Sequence, residues 1–305
     1  MKIPFPKALW CVAVLGSPAL AHEDHAPVLE EIVVYGRSVP LIGEARSASE
    51  GLVAFDDLRL PPLLRTGELV EAVPGMVATQ HSGTGKANQY FLRGFNLDHG
   101  TDFAATLNGV PLNLRTHGHG QGYLDMNFMI PELVETTRYR KGPYALAVGD
   151  FSSAGSVDFE YANRLDQNLL EFEAGSHGYQ RGLLAGTFNT GNGELTGAVD
   201  INHYDGPWKL DENSEQFKGY LGYATQLAGV PLRVELHGFD STWDATDQIP
   251  ERAVRSGLIS RLGHIDPDAG GQSDRYQLSG TLDFEDWRLN AYAVQSSLTL
   301  HSNFT

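Results

Sequence analysis

Residues 195–202 read Leu195-Thr196-Gly197-Ala198-Val199-Asp200-Ile201-Asn202. Leu195, Gly197, Val199 and Ile201 fall on one side of an extended chain and Thr196, Ala198, Asp200 and Asn202 on the other, because successive side chains of a strand point to opposite faces. The pattern recurs downstream. Leu232, Val234 and Leu236 alternate with Arg233, Glu235 and His237, and Tyr276, Leu278, Gly280, Leu282 and Phe284 with Gln277, Ser279, Thr281 and Asp283. Read this way, the second half of the chain holds about seven strands, at roughly 168–175, 179–189, 194–205, 216–226, 231–242, 274–284 and 287–301, the last with blurred alternation. Each is close to the roughly 9–11 residues with which a tilted strand crosses a bilayer.

The connections add a second signal. Gly191-Asn192-Gly193, Ala228-Gly229-Val230-Pro231 and Glu285-Asp286 are tight turns, whereas the opposite edge carries Ser176-His177-Gly178, then Asp205–Glu215, then a long Trp243–Ser273. Short turns on one edge and lengthening loops on the other are expected of an outer-membrane barrel. A soluble β-sandwich with a polar solvent face gives the same periodicity and is the alternative, but a loop of that length inside a sandwich is unusual.

Composition narrows the classes further. Lys and Arg number 22 against 38 Asp and Glu, a formal net charge of −16, so a nucleic-acid partner, which needs a basic face, is not expected. The 34 glycines and 10% aromatic residues suit strands and turns. The only long apolar run lies at the N-terminus, where Lys2 and Lys7 flank it, Pro18 breaks it and Ala19-Leu20-Ala21 forms a small-x-small cleavage site. This is the form of an export signal spanning 1–21. Its removal takes away Cys11, the one cysteine, so disulfides cannot hold the mature product.

Between signal and strands the chain divides at about residues 50 and 161. Residues 22–50 contain the acidic, β-branched strip Glu30-Glu31-Ile32-Val33-Val34-Tyr35-Gly36 and then a polar linker, while residues 51–161 read as a compact mixed domain. Thr66–Gly75 reads as a short helix capped by Thr66 and ended by Pro74-Gly75. Tyr90–Gly94 and Ala104–Leu107 read as strands, Asn108-Gly109 as a hairpin turn, and Ile130–Thr137 as a helix opened by Pro131.

With these segments in view, the chain resembles the TonB-dependent outer-membrane receptors from end to end. Glu30–Gly36 is similar to that family's energy-coupling box; Gly67-Glu68-Leu69-Val70-Glu71-Ala72-Val73-Pro74-Gly75-Met76 to a leucine-containing plug helix ending in Pro-Gly; and Tyr90-Phe91-Leu92-Arg93-Gly94-Phe95 to its strand-Arg-Gly motif. Leu107-Asn108-Gly109-Val110-Pro111 resembles the hairpin usually written with Asp-Gly. Ile130–Glu135 with Arg140-Lys141-Gly142-Pro143, and then Gly149 and Ala154-Gly155-Ser156-Val157, resemble the segments that close the plug. The resemblance implies an α+β plug domain, a small mixed sheet with short helices, over 51–161. Antiparallel transmembrane barrel strands follow over 162–305. About 22 strands are expected of such a barrel, so the seven counted here imply a fragment, because an open sheet edge in lipid leaves backbone groups unsatisfied.

The resemblance also implies function and partners. The chain would sit in the outer membrane of a Gram-negative bacterium, in contact with outer-membrane lipid. It would import a scarce ligand such as a ferric siderophore, a metal ion or another small solute. TonB of the TonB–ExbB–ExbD inner-membrane complex would be its partner through Glu30, Glu31, Ile32, Val33, Val34 and Tyr35, a strip suited to strand addition. Arg93, Arg138, Arg140 and Lys141 are expected to hold the plug through ion pairs with acidic residues of the inner barrel wall.

Two stretches carry the ligand question. Gln80-His81-Ser82-Gly83-Thr84-Gly85-Lys86 has part of a phosphate loop, but Gln80 and Ala87 stand where that motif needs Gly and Ser or Thr, so nucleotide binding is rejected. Asn113-Leu114-Arg115-Thr116-His117-Gly118-His119-Gly120-Gln121 would face the ligand cavity together with Gln80, His81 and His99. His117 and His119, near Asp98 and His99, have donors for zinc or another borderline metal; hydrogen bonding to backbone or water is the other reading. His22 and His25 offer a looser site, and Trp208 and Trp243, placed in external loops, offer stacking surfaces. No resident cofactor is expected, zinc or iron entering only as cargo. No nucleophile–base pair is evident, so no enzyme is expected. A surface adhesion protein without transport and a secreted metal-handling β-protein are the competing readings.

Overall fold

β1 (Glu44–Ser47) and β2 (Glu50–Ala54) form a hairpin that leads into one turn of helix, α1 (Phe55–Leu58). The computed structural model describes residues 43–58, 63, 65–80, 84–115 and 120–302. The export signal and the Glu30–Tyr35 strip lie outside the described residues. The polar linker expected up to residue 50 ends earlier, since β1 and the start of β2 already belong to a sheet.

The N-terminal domain continues with β3 (Met76–Thr79), β4 (Gln89–Leu92) and β5 (Phe95–Asn96), a three-stranded sheet. β6 (Phe103–Leu107), β7 (Val110–Pro111), β8 (Val134–Lys141) and β9 (Gly155–Tyr161) complete a six-stranded sheet in the order β1-β2-β8-β9-β6-β7. All its pairs are antiparallel except β6 with β9. The turn between β6 and β7 is Asn108-Gly109, both with positive φ (51° and 77°), the conformation a two-residue hairpin of this twist requires.

Two helical expectations are corrected. Thr66–Ala72 is the expected short helix, of 3₁₀ type and ending before Pro74, but Thr66 does not cap it. Its hydroxyl instead accepts a hydrogen bond from Lys218 Nζ at 2.9 Å, while Arg65 and Glu68 close the first turn, Nε to Oε1 at 2.9 Å. Ile130–Thr137 is helical only over Pro131–Leu133 and then becomes β8. Val134, Thr136 and Thr137 are β-branched and pair with β9, the two threonines with β2 as well, so sheet pairing outweighs the helix start at Pro131.

The second half is an antiparallel meander of β10 (Leu169–Ala174), β11 (Gln180–Asn189), β12 (Gly193–Tyr204), β13 (Ser214–Leu227), β14 (Val230–Asp244), β15 (Gly270–Asp283) and β16 (Arg288–His301). A short helix, α2 (Glu251–Arg255), lies in the loop between β14 and β15. Among the described residues this sheet is open, with β10 and β16 at its edges. Residues 190–192, 228–229 and 284–287 turn on one edge and 175–179, 205–213 and 245–269 on the other. Trp243 falls in β14 and not in the long loop. It is buried against Gly85, where a Cβ would come within 1.8 Å of the indole, so only a glycine backbone fits under the ring. Trp208 does lie in a loop, with its Nε1 donating to Glu212 Oε1 at 2.6 Å.

The meander is polar inside and apolar outside. Thr196, Asp200, Lys218, Glu235, His237, Ser273 and Ser279 are buried on the face toward the N-terminal domain. Leu184, Val199, Ile201, Leu221, Leu236 and Leu278, on the alternate positions, are exposed. A single hydrophobic cluster nevertheless joins the two halves: Leu107, Met129 and Phe159 pack with Leu183, Ala198, Tyr220 and Phe239 of the sheet.

Candidate functional site

The junction between the N-terminal domain and the meander is built from cations on the sheet and acceptors on the domain. Arg181 of β11 grips Glu132 with two parallel bonds of 2.7 and 2.9 Å and also reaches Glu173 (2.9 Å) and Asp200 (2.8 Å), the planar fork that a guanidinium offers to carboxylates. Lys218 of β13 donates to Thr66 Oγ1 and to the Met129 carbonyl (3.2 Å). Arg233 of β14 donates to the Tyr161 carbonyl at 3.0 Å, and the Arg275 guanidinium of β15 lies 4.5 Å from the centre of the Phe128 ring.

At the tip of the β6–β7 hairpin Asn108 uses all its polar groups. Its Nδ2 donates to Glu235 Oε1 (2.7 Å), its Oδ1 accepts from the Tyr161 amide (2.9 Å), its carbonyl accepts from Asn290 Nδ2 (3.0 Å) and its amide donates to the Phe159 carbonyl (2.8 Å). Glu235 is buried and also receives Tyr220 and Arg233, each at 2.9 Å.

The expected ion pairs run differently. Arg140 pairs with Glu50 at 3.1 Å and Arg138 with Asp158 at 4.0 Å, both inside the N-terminal domain. The cause is register: Glu50 faces Arg140 across β2–β8 and Asp158 faces Arg138 across β8–β9, the closest positions a sheet offers to opposite charges. Lys141 donates to the Pro74 carbonyl at 3.2 Å. Arg93 sits exposed in the β4–β5 turn at φ 54°, its amide bonded to the Gly75 carbonyl, and makes no ion pair among the described residues. None of the four therefore carries an ion pair to the described strands of the meander.

Two cavities open between domain and sheet. One, of about 820 Å³, lies toward the long-loop edge and is lined by Gln80, Lys86, His177, Tyr179, Tyr204 and Arg181 among others. The other, of about 750 Å³, lies between the segment after the β6–β7 hairpin (Leu114, Arg115, Tyr123, Asp125) and β14–β16. Gln80 thus reaches the first, where its Oε1 accepts from Arg65 Nη1 at 3.1 Å, and Arg115 reaches the second, 3.9 Å from Asp150.

His99 is not ligand-facing. It is buried, with Nδ1 between the Ala87 and Asn88 carbonyls at 3.1 and 3.0 Å, so it ties two backbone segments together. His81, His117 and His119 lie outside the described residues. The root of the His117–His119 segment is described: Leu114 and Tyr123 form a bridge, and the buried Asn113 makes four backbone hydrogen bonds, with Ala105, Gly100, Phe103 and Gly122. Among the described residues no three His, Cys, Asp or Glu side chains gather as a metal site would require. The sequence alone does not mark Asn113 as the lock of its own loop, nor Asn108, Lys218, Glu235 and Arg275 as junction residues. The visible signal was their inward position in the strand alternation for the last three, and for the two asparagines there was none beyond the turn.

A domain of this topology seated on the polar face of an antiparallel meander defines a class. Residues 47–156 match the TonB-dependent receptor plug domain as a sequence family, so the N-terminal domain is a plug domain of that type. Among solved structures the chain is similar to the ferric citrate transporter FecA in its unliganded form (13% identity, TM-score 0.64, covering 84% of this chain and 41% of that one). It is also similar to the copper transporter OprC (15%, 0.54, 85% and 48%) and to the siderophore receptor PirA from Acinetobacter baumannii (17%, 0.52, 81% and 39%). The chain thus spans less than half the length of these relatives.

Proposed function

We propose that this chain supplies the plug and a run of wall strands of a receptor in the outer membrane of a Gram-negative bacterium. The receptor imports a scarce small ligand by movement of the plug, and no catalytic role or resident cofactor is assigned to it. The carrying observation is the inverted sheet: exposed leucines, valines and isoleucines face outward while charged and hydroxyl side chains face the plug, the arrangement a lipid-embedded wall around a polar interior requires. That apolar face speaks against a secreted soluble metal carrier, which would expose it to water. Plug and wall meet through hydrogen bonds and ion pairs beside one shared apolar cluster, contacts that can be exchanged for water when the plug moves.

Energy coupling is assigned to Glu30, Glu31, Ile32, Val33, Val34 and Tyr35 as the strip that pairs with TonB of the TonB–ExbB–ExbD complex. The ligand class is metal ion or metal chelate. Support comes from the relatives, a ferric citrate transporter, a siderophore receptor and a copper transporter. The sequence adds His117 and His119 as donors suited to a borderline metal. The test uses the complete receptor in cells. Deleting Glu30–Tyr35 is expected to abolish uptake and leave surface binding intact, and replacing His117 and His119 by alanine to weaken binding itself. Uptake that persists without the strip would overturn the coupling role, and unchanged metal binding in the histidine variants would remove them from the ligand site.

A further inference from the structure

The tip of the plug, Thr84-Gly85-Lys86, is held against the long-loop edge of the wall by contacts of its own. The Trp243 indole of β14 lies against two glycines. Gly85 of the plug passes under the ring, and Gly271, directly across the β14–β15 register, would bring a Cβ to 2.7 Å from it. A glycine in a strand marks such a close approach of another group. Gln216 of β13 donates to the Thr84 carbonyl at 3.5 Å, and Asp247, in the loop after β14, attracts the buried Lys86. Just behind the tip the chain is anchored in the plug itself: the Ala87 amide donates to Tyr123 Oη at 2.8 Å, and Asn127 Nδ2 reaches the Lys86 carbonyl at 3.4 Å.

These contacts stand apart from those that seat the rest of the plug. Trp243 packs with Ala245, Ala269, Leu298 and Leu300 in a small cluster, separate from the core in which Met129 and Phe159 meet the meander. Trp243 is 3% exposed, yet its Nε1 bonds to nothing among the described residues, and neither does the hydroxyl of Ser241, the next inward residue of β14. Trp208, by contrast, has Glu212. A buried N–H without an acceptor works against the closed position, because withdrawal into water satisfies it. The tip is thus held by shape, one long hydrogen bond and the pull of Asp247, whereas the body of the plug has Glu132 gripped by Arg181, and Thr66 and Met129 by Lys218. A region with few buried contacts of its own opens separately from the core.

From this geometry we infer that Thr84–Lys86 and Trp243 form a clasp that opens and closes independently of the plug core, with Trp243 as its bolt. Thr84, Lys86 and Gln216 line the 820 Å³ cavity, so opening the clasp removes part of that cavity's wall. Use of this opening in ligand entry rests on the receptor reading above; the clasp itself does not.

Fluorine spectroscopy of the full chain in detergent, labelled with fluorotryptophan, tests the clasp, and Trp243→Phe assigns the resonance. In a urea titration the Trp243 resonance is expected to reach its water-exposed position before the sheet loses its circular dichroism. Gly85→Ala drives a methyl group into the indole and is expected to populate the exposed position severalfold more without urea, leaving the plug as protease-resistant as in the parent. A disulfide between Thr84→Cys and Gln216→Cys, with the one native cysteine, Cys11, replaced by serine, is expected to delay the Trp243 change until the sheet melts. Reductant is expected to restore the early change. The disulfide decides the matter should Gly85→Ala unfold the plug. A Trp243 resonance that changes only together with the sheet in the parent, or that neither the alanine nor the disulfide moves, would overturn the clasp. Uptake is not measured, so failure of the transport reading and failure of this one remain distinct.

Discussion

Asp125 lies partly exposed in the cavity facing β15, with its Oδ1 accepting the Asn127 amide at 2.9 Å. Burial raises its carboxyl to about 6, against the lowering pull of Asn127, Arg275 and Lys218. The folded state therefore binds this proton more tightly than the unfolded chain, whose carboxyl titrates near 3.8. The contribution to stability is full below about pH 4 and is lost as pH rises through 6. Asp125→Asn removes the charge at constant shape. It should raise the thermal midpoint at about pH 8, with the gain over the parent shrinking to nothing by about pH 4. An equal gain at both pH values would show that the charge is not the cause. In sequence Asp125 was one acidic residue in a run of Gly, Tyr, Leu and Met; its burial depends on strands more than ninety positions away, so no local pattern reports it.

Among the elements, the β6–β7 hairpin shows how local and long-range information divide. Asn108-Gly109 was legible as a turn because positive φ at both positions selects these residue types. That the same asparagine bonds Glu235 was not legible, since the partner lies 127 residues away. Asn108→Asp should keep the turn, which aspartate also tolerates, but bring a second carboxylate against Glu235. A loss of about 3 kcal/mol is expected from such a buried mismatch. Adding Glu235→Gln should restore most of it, as measured by denaturant unfolding in a double-mutant cycle. Additive effects of the two changes would mean that the residues are not coupled. β8 teaches the converse lesson. Pro131 signals a helix start and the residues after it fit one, yet Val134–Lys141 is a strand because β2 and β9 flank it.

At the scale of the molecule, the seven strands of the meander lie within a few residues of their expected bounds, and even the blurred last segment forms β16. The outward band they share makes a distinction between faces testable. Leu236, exposed near the middle of β14, is flanked across the register by Leu221 and Leu278. Leu236→Arg should cost roughly 2–4 kcal/mol of membrane-inserted stability, as a charge at the bilayer midplane does. Leu258→Arg, in the long loop and more exposed still, should change little. Refolding into vesicles followed by protease protection measures both; equal effects would argue that the band does not face lipid.

The sequence by itself determined the strands of the meander, their faces and the tight turns. Period-two alternation and turn chemistry are local, and each residue carries its part of that signal regardless of what it meets. Only the tertiary structure decided which charges meet. Arg138 and Arg140 found acids across their own sheet, the sheet cations Arg181 and Lys218 found the plug, and Arg275 came to rest on Phe128 and Gln277. Charge pairing acts between side chains brought together by register and packing, and a one-residue shift in either would exchange every partner.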